Sequence, residues 1–174
     1  MKALILGGAR SGKSKLAEQA ALSSGLKCIY IATAQAGDAE MIRRIEKHRE
    51  RRGAEWQLME EPVALASALE RAAAEDTCIL VDCLTLWLSN CLFSEDKAEW
   101  SRQREALLEI LPQLPGHIIL VSNETGLGVV PMGEVTRQFV DESGLLHQAL
   151  AEICDRVTLT VAGLPHILKD NQNR

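Results

Sequence analysis

The sequence predicts an α/β fold: a mostly parallel sheet with helices on both faces. Three observations predict it. Short apolar runs of strand length recur along the chain, longer amphipathic stretches separate them, and the first run ends in a glycine-rich turn that opens a helix. Strands whose apolar cores are nearly continuous are buried on both faces, which is the signature of parallel βαβ units. A length of 174 residues suits one domain spanning residues 1–174.

The elements follow in order. Residues 3–6 form a buried strand by length and type, and residues 7–12 form a glycine-rich loop leading into a helix over residues 13–23. Residues 28–32 read as a second strand. Asp38 suits an N-cap and opens a charged helix over residues 38–52. Residues 56–59 suit a short strand. Pro62 suits the first turn of a helix that runs to residue 74. Residues 77–82 give a third clear strand, followed by helices over 84–93 and 95–111. A fourth clear strand occupies 117–122, then a Gly- and Pro-containing loop over 124–133 and helical stretches to residue 154. Residues 156–161 are expected to be the last strand, with residues 171–174 a frayed tail.

The loop Gly7-Gly8-Ala9-Arg10-Ser11-Gly12-Lys13-Ser14 matches G-x-x-x-x-G-K-[ST] in full and lies between a strand and a helix. Glycines let backbone N–H groups turn inward around phosphate oxygens, and the helix adds its positive N-terminal end. Lys13 is placed to reach the β- and γ-phosphates, and Ser14 to hold Mg²⁺. This pattern indicates a bound nucleoside triphosphate but chooses neither the base nor the reaction. A second metal-holding oxygen in such sites is an Asp ending another buried strand, which Asp82 provides. A strand-terminal Asp capping the next helix fits the same pattern. Asn123 and Glu124 end the fourth clear strand. Ligands of parallel α/β sheets bind beyond the carboxyl strand ends, so Glu124 is placed either to orient a γ-phosphate or as an ordinary loop carboxylate.

Residues 38–52 carry six Lys or Arg side chains in an otherwise acidic chain of net charge -5. Met41, Ile42 and Ile45 give that segment an apolar stripe, and His48 continues it, with Arg49 and Arg52 beside it. One reading is a phosphate clamp in which His48 is a base or a nucleophile that attacks phosphorus. The other is a solvated surface helix with pairs such as Glu46 and Arg49. His117 suits a structural role at a strand start, and His147 and His166 have no partner pattern.

Composition narrows the classes further. The acidic charge, pI near 5.4 and 3% aromatic content argue against a nucleic-acid-binding module, and imply an aliphatic core. Cys28, Cys78, Cys83, Cys91 and Cys154 form no C-x-x-C pair and read as buried thiols of a reducing compartment. The N-terminal apolar run is too short for a signal segment and no stretch is long enough to span a membrane, so a cytoplasmic protein is expected.

Beyond the loop, further segments in order resemble one known family. They are Tyr30-Ile-Ala-Thr-Ala34, His48-Arg49-x-x-Arg52, Glu60-Glu61-Pro62, Val81-Asp82-Cys83-Leu84-Thr85 and Ser122-Asn-Glu-Thr-Gly-Leu-Gly128 with Pro131. Arg137-x-Phe139-x-Asp141-x-x-Gly144 and Ala162-Gly163-Leu-Pro165 complete the set. The chain resembles the bifunctional adenosylcobinamide kinase/adenosylcobinamide-phosphate guanylyltransferases of cobalamin biosynthesis over nearly its whole length.

The resemblance implies a RecA-like P-loop sheet, a homotrimer, and two reactions. ATP or GTP phosphorylates the aminopropanol hydroxyl of adenosylcobinamide. A GMP unit carried on a histidine then passes to the phosphate product, giving adenosylcobinamide-GDP. The family histidine falls on His48. The nucleotide-binding positions fall on Gly7, Gly8, Ala9, Arg10, Ser11, Gly12, Lys13 and Ser14, on Ala32, Thr33 and Ala34, on Arg49, Glu50, Arg51 and Arg52, and on Glu60 and Asp82. Lys13 joins His48 as a catalytic residue, and Ser14 and Asp82 are the Mg²⁺ positions. Gly53 stands where the family commonly has proline, and His147 where it commonly has asparagine. A simple P-loop small-molecule kinase without a covalent intermediate is the alternative. The residues that hold the corrinoid are not legible.

Overall fold

A computed structural model describes residues 1–34, 53 and 55–171. In chain order its elements are β1 (Lys2–Gly7), α1 (Lys13–Leu22), β2 (Lys27–Ala32), β3 (Trp56–Glu60), α2 (Leu65–Ala72) and β4 (Thr77–Asp82). Then come α3 (Leu84–Leu92), α4 (Glu99–Ile110), a 3-10 turn (Leu111–Gln113), β5 (His117–Asn123), α5 (Glu134–Ile153), β6 (Arg156–Val161) and β7 (Leu164–Asp170). The expected helix over residues 38–52 lies outside the described residues.

One seven-stranded sheet has the order β3-β2-β4-β5-β1-β6-β7. Every pairing is parallel except β6 with β7. Alternation along the strands sorts side chains to two faces. Leu4, Leu6, Ile29, Ile31, Ile79, Val81, Ile118 and Leu120 face Leu65 and Leu69 of α2, Leu84 and Trp87 of α3, Leu107 of α4, and Leu146 and Leu150 of α5. Ala3, Ile5, Tyr30, Leu80, Ile119 and Val121 face Ala17 and Ala21 of α1. The small alanines let α1 sit close to the sheet directly after the glycine-rich loop.

Four expectations are corrected. The strand at residues 156–161 is not the last: the chain turns at Ala162-Gly163 and returns as antiparallel β7. Both turn residues have positive φ, 52° and 80°, the two-residue turn whose twist matches a hairpin. The helix expected from Pro62 starts at Leu65, because Glu61 Oε1 accepts the Val63 and Ala64 amides and holds those residues in a turn. The helix expected from residue 95 starts at Glu99, after Asp96 Oδ1 accepts the Ala98 amide. The core is not purely aliphatic either. Trp87 is fully buried and meets Trp100 edge-to-face at 5.4 Å, and its indole N–H donates to the Val63 carbonyl at 2.7 Å. All five cysteines are buried and unbridged, as the sequence implies.

Candidate functional site

The strand register gathers the predicted residues at one edge of the sheet. Gly7 ends β1 opposite Asn123 of β5 and Thr160 of β6. Asp82 ends β4 opposite Ala32 of β2, and Ala32 is in turn opposite Glu60 of β3. All are carboxyl-terminal strand positions, where ligands of parallel sheets bind. Since β5 lies between β1 and β4, Gly7 and Asp82 are separated by two strand spacings, about 10 Å. Asn123 and Glu124 sit at this edge as expected, and the Glu124 amide donates to the Gly7 carbonyl at 3.0 Å.

The loop itself is tightly built. Gly12 has φ +95°, and a Cβ there would lie 3.1 Å from the Gly163 Cα, so glycine is needed for both conformation and approach. The Gly163 amide donates to the Ser11 carbonyl at 2.8 Å. The β6–β7 turn thus fastens the far side of the loop, which explains why a glycine-containing hairpin tip belongs to the site. Lys13 is buried to 9% exposure, and its ammonium donates to the Gly8 carbonyl at 3.1 Å. Ser14 lies in the first turn of α1, half-buried; Gly8, Ala9 and Arg10 are exposed on the loop's outer side. The Ser11 and Thr160 hydroxyls are buried at this edge without a hydrogen-bond partner among the described residues.

Thr33 is fully buried. Its hydroxyl donates to the Cys83 carbonyl at 2.7 Å and accepts the Cys83 amide at 3.0 Å. The end of β2 is thereby locked to the residue after Asp82. Asn90 of α3 donates to the Thr33 and Pro62 carbonyls, both at 2.9 Å, and the Glu61 amide donates to Ala32. The Thr33 hydroxyl therefore braces β2 against β4, and its neighbours Ala32 and Ala34 are half-buried. Burial first, then the Asp82 charge, pushes the Cys83 thiol up, and the thiol accepts the Thr85 hydroxyl at 3.1 Å. Burial and the Asp82 charge both favour the neutral thiol over the thiolate. Asp82 makes no side-chain cap to α3, whose N-cap is Cys83.

The sequence around His147 carries no partner pattern. His147 reaches from α5 to the Ser122 hydroxyl, 2.8 Å from its Nε2, and its Nδ1 lies 3.9 Å from Glu124 Oε2. Burial lowers its pKa, partly opposed by Glu124. Asn90, Gly163 and His147 were not identified from sequence as parts of this region, since each acts through a contact distant in the chain. His48, Arg49, Glu50, Arg51 and Arg52 lie outside the described residues.

A glycine-rich G-x-x-x-x-G-K-S loop on a central strand, with one strand inserted between it and the strand that ends in Asp82, defines a P-loop nucleoside triphosphatase fold of RecA-like topology. Solved structures show the same fold. The RadB recombinase matches at TM-score 0.50 and 21% identity over 91% of this chain and 73% of that one. A Pyrococcus horikoshii OT3 protein matches at TM-score 0.54 and 10% identity over 97% and 86%.

The sequence narrows this to one family. The chain belongs to the CobU family, cobinamide kinase / cobinamide phosphate guanyltransferase, whose profile matches residues 3–168. It is 64% identical over 97% of its length to the Pseudomonas aeruginosa bifunctional adenosylcobalamin biosynthesis protein CobP, covering 98% of that protein. It is 35% identical over 94% of its length to the Salmonella typhimurium protein CobU, covering 97% of it.

Proposed function

We propose that this chain carries out both family reactions, with the nucleotide held at the carboxyl edge of the sheet. The observation that carries this reading is the convergence of Gly7, Ala32, Glu60 and Asp82 on that edge beside a closed, complete phosphate loop. Backbone amides of the loop and the N-terminus of α1 hold the phosphates. Lys13, now on the Gly8 carbonyl, exchanges that acceptor for a phosphate oxygen when the nucleotide enters. Ser14 and Asp82 supply a hydroxyl and a carboxylate, the hard oxygen donors that suit Mg²⁺. Bound there, the cation would neutralise phosphate charge.

In the kinase half, the hydroxyl of the cobinamide arm attacks the γ-phosphorus and gives up its proton to solvent, the γ–β bridging P–O bond breaks, and nucleoside diphosphate leaves. In the transferase half, an imidazole nitrogen of His48 attacks the α-phosphorus of GTP. A P–N bond forms, the α–β P–O bond breaks and pyrophosphate departs. A phosphate oxygen of cobinamide phosphate then attacks the same phosphorus, the P–N bond breaks, and the GDP ester forms while His48 becomes neutral again. Arg49, Arg51 and Arg52 neutralise the α-phosphate charge, and Glu50 and Glu60 complete the nucleotide contacts. The working form is a homotrimer in the cytoplasm. Among the described residues no helix is long and apolar enough to cross a membrane.

The test is incubation with adenosylcobinamide, GTP and Mg²⁺, with products resolved as phosphate ester and GDP ester. Appearance of the phosphate ester followed by the GDP ester supports the reading. Accumulation of the phosphate ester alone leaves the simple kinase, and neither product overturns both halves.

A further inference from the structure

We infer that residues 124–135, the loop after β5 and the start of α5, are the seat of the corrinoid macrocycle, an inference that rests on the proposed function. The loop leaves β5 at the phosphate loop, where the Glu124 amide meets the Gly7 carbonyl. An acceptor that takes a phosphoryl group from a nucleotide held there works at the same edge of the sheet from which this segment leaves.

The segment is built inside out. Its polar backbone is fixed from within: Glu124 Oε1 accepts the Gly126 and Leu127 amides, and Arg137 Nη1 donates to the Pro131 and Met132 carbonyls. Its apolar side chains face solvent: Val129 and Met132 are each 96% exposed, Leu127 80% and Val130 73%. A loop held by two charged side chains while displaying four aliphatic ones contributes little to the core and much to a surface. Val129, Val130 and Pro131 line a shallow cleft with Val140, and Arg137 and Asp141 stand at its wall.

The occupant this surface fits is a broad, mostly aliphatic ring with a cationic metal centre and a short hydroxyl-bearing arm. The aliphatic row covers the ring. The charge is complementary: residues 124–135 carry Glu124 and Glu134 and no Lys or Arg, and the nearby Arg137 is occupied by backbone carbonyls. A ring seated here shares the segment whose first residue, Glu124, meets the Gly7 carbonyl. Leu164, Ile167 and Leu168 are also exposed, but they lie on the sheet-edge strand β7, where backbone pairing with a second copy is the more natural use.

The experiment compares the wild-type chain with Val129→Asn/Met132→Gln, and with Leu22→Gln as a control for an exposed aliphatic residue on the outer surface of α1. Initial rates are measured against adenosylcobinamide at saturating GTP, and against GTP at saturating adenosylcobinamide. Binding of the coloured corrinoid is followed by equilibrium dialysis, and oligomeric state by sedimentation. The expected result is a KM and Kd for the corrinoid raised at least tenfold in the double variant, with the KM for GTP and the sedimentation coefficient unchanged. Unchanged corrinoid KM and Kd overturn the inference. So does a change in sedimentation, which would make the loop a contact between copies. A wild-type chain that does not turn over adenosylcobinamide overturns the proposed function instead.

Discussion

Replacing Thr33 with valine tests whether the brace between β2 and β4 is a real part of the site. Valine keeps the shape of threonine but removes the hydroxyl that both donates to the Cys83 carbonyl and accepts the Cys83 amide. The carbonyl keeps a second partner, because the Trp87 amide donates to it at 3.3 Å. The amide does not, so one buried N–H is stranded, at a cost of about 1–3 kcal/mol. We take about 2 kcal/mol. Thr33→Ser keeps the hydroxyl and removes one buried methyl, costing about 1 kcal/mol.

With a urea slope of about 2 kcal/mol/M, the unfolding midpoint falls by about 1 M in the valine variant and about 0.5 M in the serine variant. The assay is urea unfolding at fixed protein concentration, followed by far-UV circular dichroism, with the slope unchanged. A valine variant as stable as wild type, or a serine variant that falls further than valine, refutes the reasoning.

Gly12→Ala forces a left-handed conformation that costs alanine about 1–2 kcal/mol and presses a methyl on Gly163. Its unfolding midpoint drops and its GTP affinity weakens at least tenfold by calorimetry. Gly8→Ala, where a Cβ meets nothing within 4 Å, leaves the midpoint near wild type. His147 has a pKa lowered in the fold by burial, so the unfolded chain binds the proton first as pH falls. Its contribution is complete above the ordinary histidine pKa of about 6.5 and is lost as pH drops through the folded value. His147→Asn should therefore show a smaller loss of urea midpoint between pH 7.5 and pH 5.5 than wild type. A residual loss remains from His117, which burial also lowers. An equal loss in both proteins would remove His147 from this account.

Much of the fold was legible because local patterns set it. The apolar runs at β1, β2, β4, β5 and β6 were visible, and the loop from Gly7 to Ser14 announced its own strand–turn–helix context. β7 was not, because Pro165 weakens a strand pattern and its side chains are mostly exposed, leaving no buried alternation to read. Its hairpin is set instead by positive φ at Ala162 and Gly163, and by the docking of Gly163 on the phosphate loop. The start of α2 was misplaced because a side chain, Glu61, outcompetes the favourable placement of Pro62.

At the site, strand-terminal residues were legible, since strand order alone carries Gly7, Ala32, Glu60 and Asp82 to one edge. The supports were not. Thr33 to Cys83 spans 50 positions, Asn90 to Thr33 57, and His147 to Ser122 25, and no local pattern encodes such pairs. Thr33 was expected among the nucleotide contacts, and its hydroxyl is already engaged within the protein.

In the proposed function one chain phosphorylates cobinamide and then transfers a nucleotide through His48 of the basic segment. The most direct measurement is incubation with GTP labelled at the α-phosphate, followed by denaturation and peptide mapping. The expected result is an acid-labile, alkali-stable label on His48, absent in His48→Asn while phosphate-ester formation continues in that variant. No covalent label on freshly purified protein that still forms the phosphate ester, or a label on a residue other than His48, would contradict it.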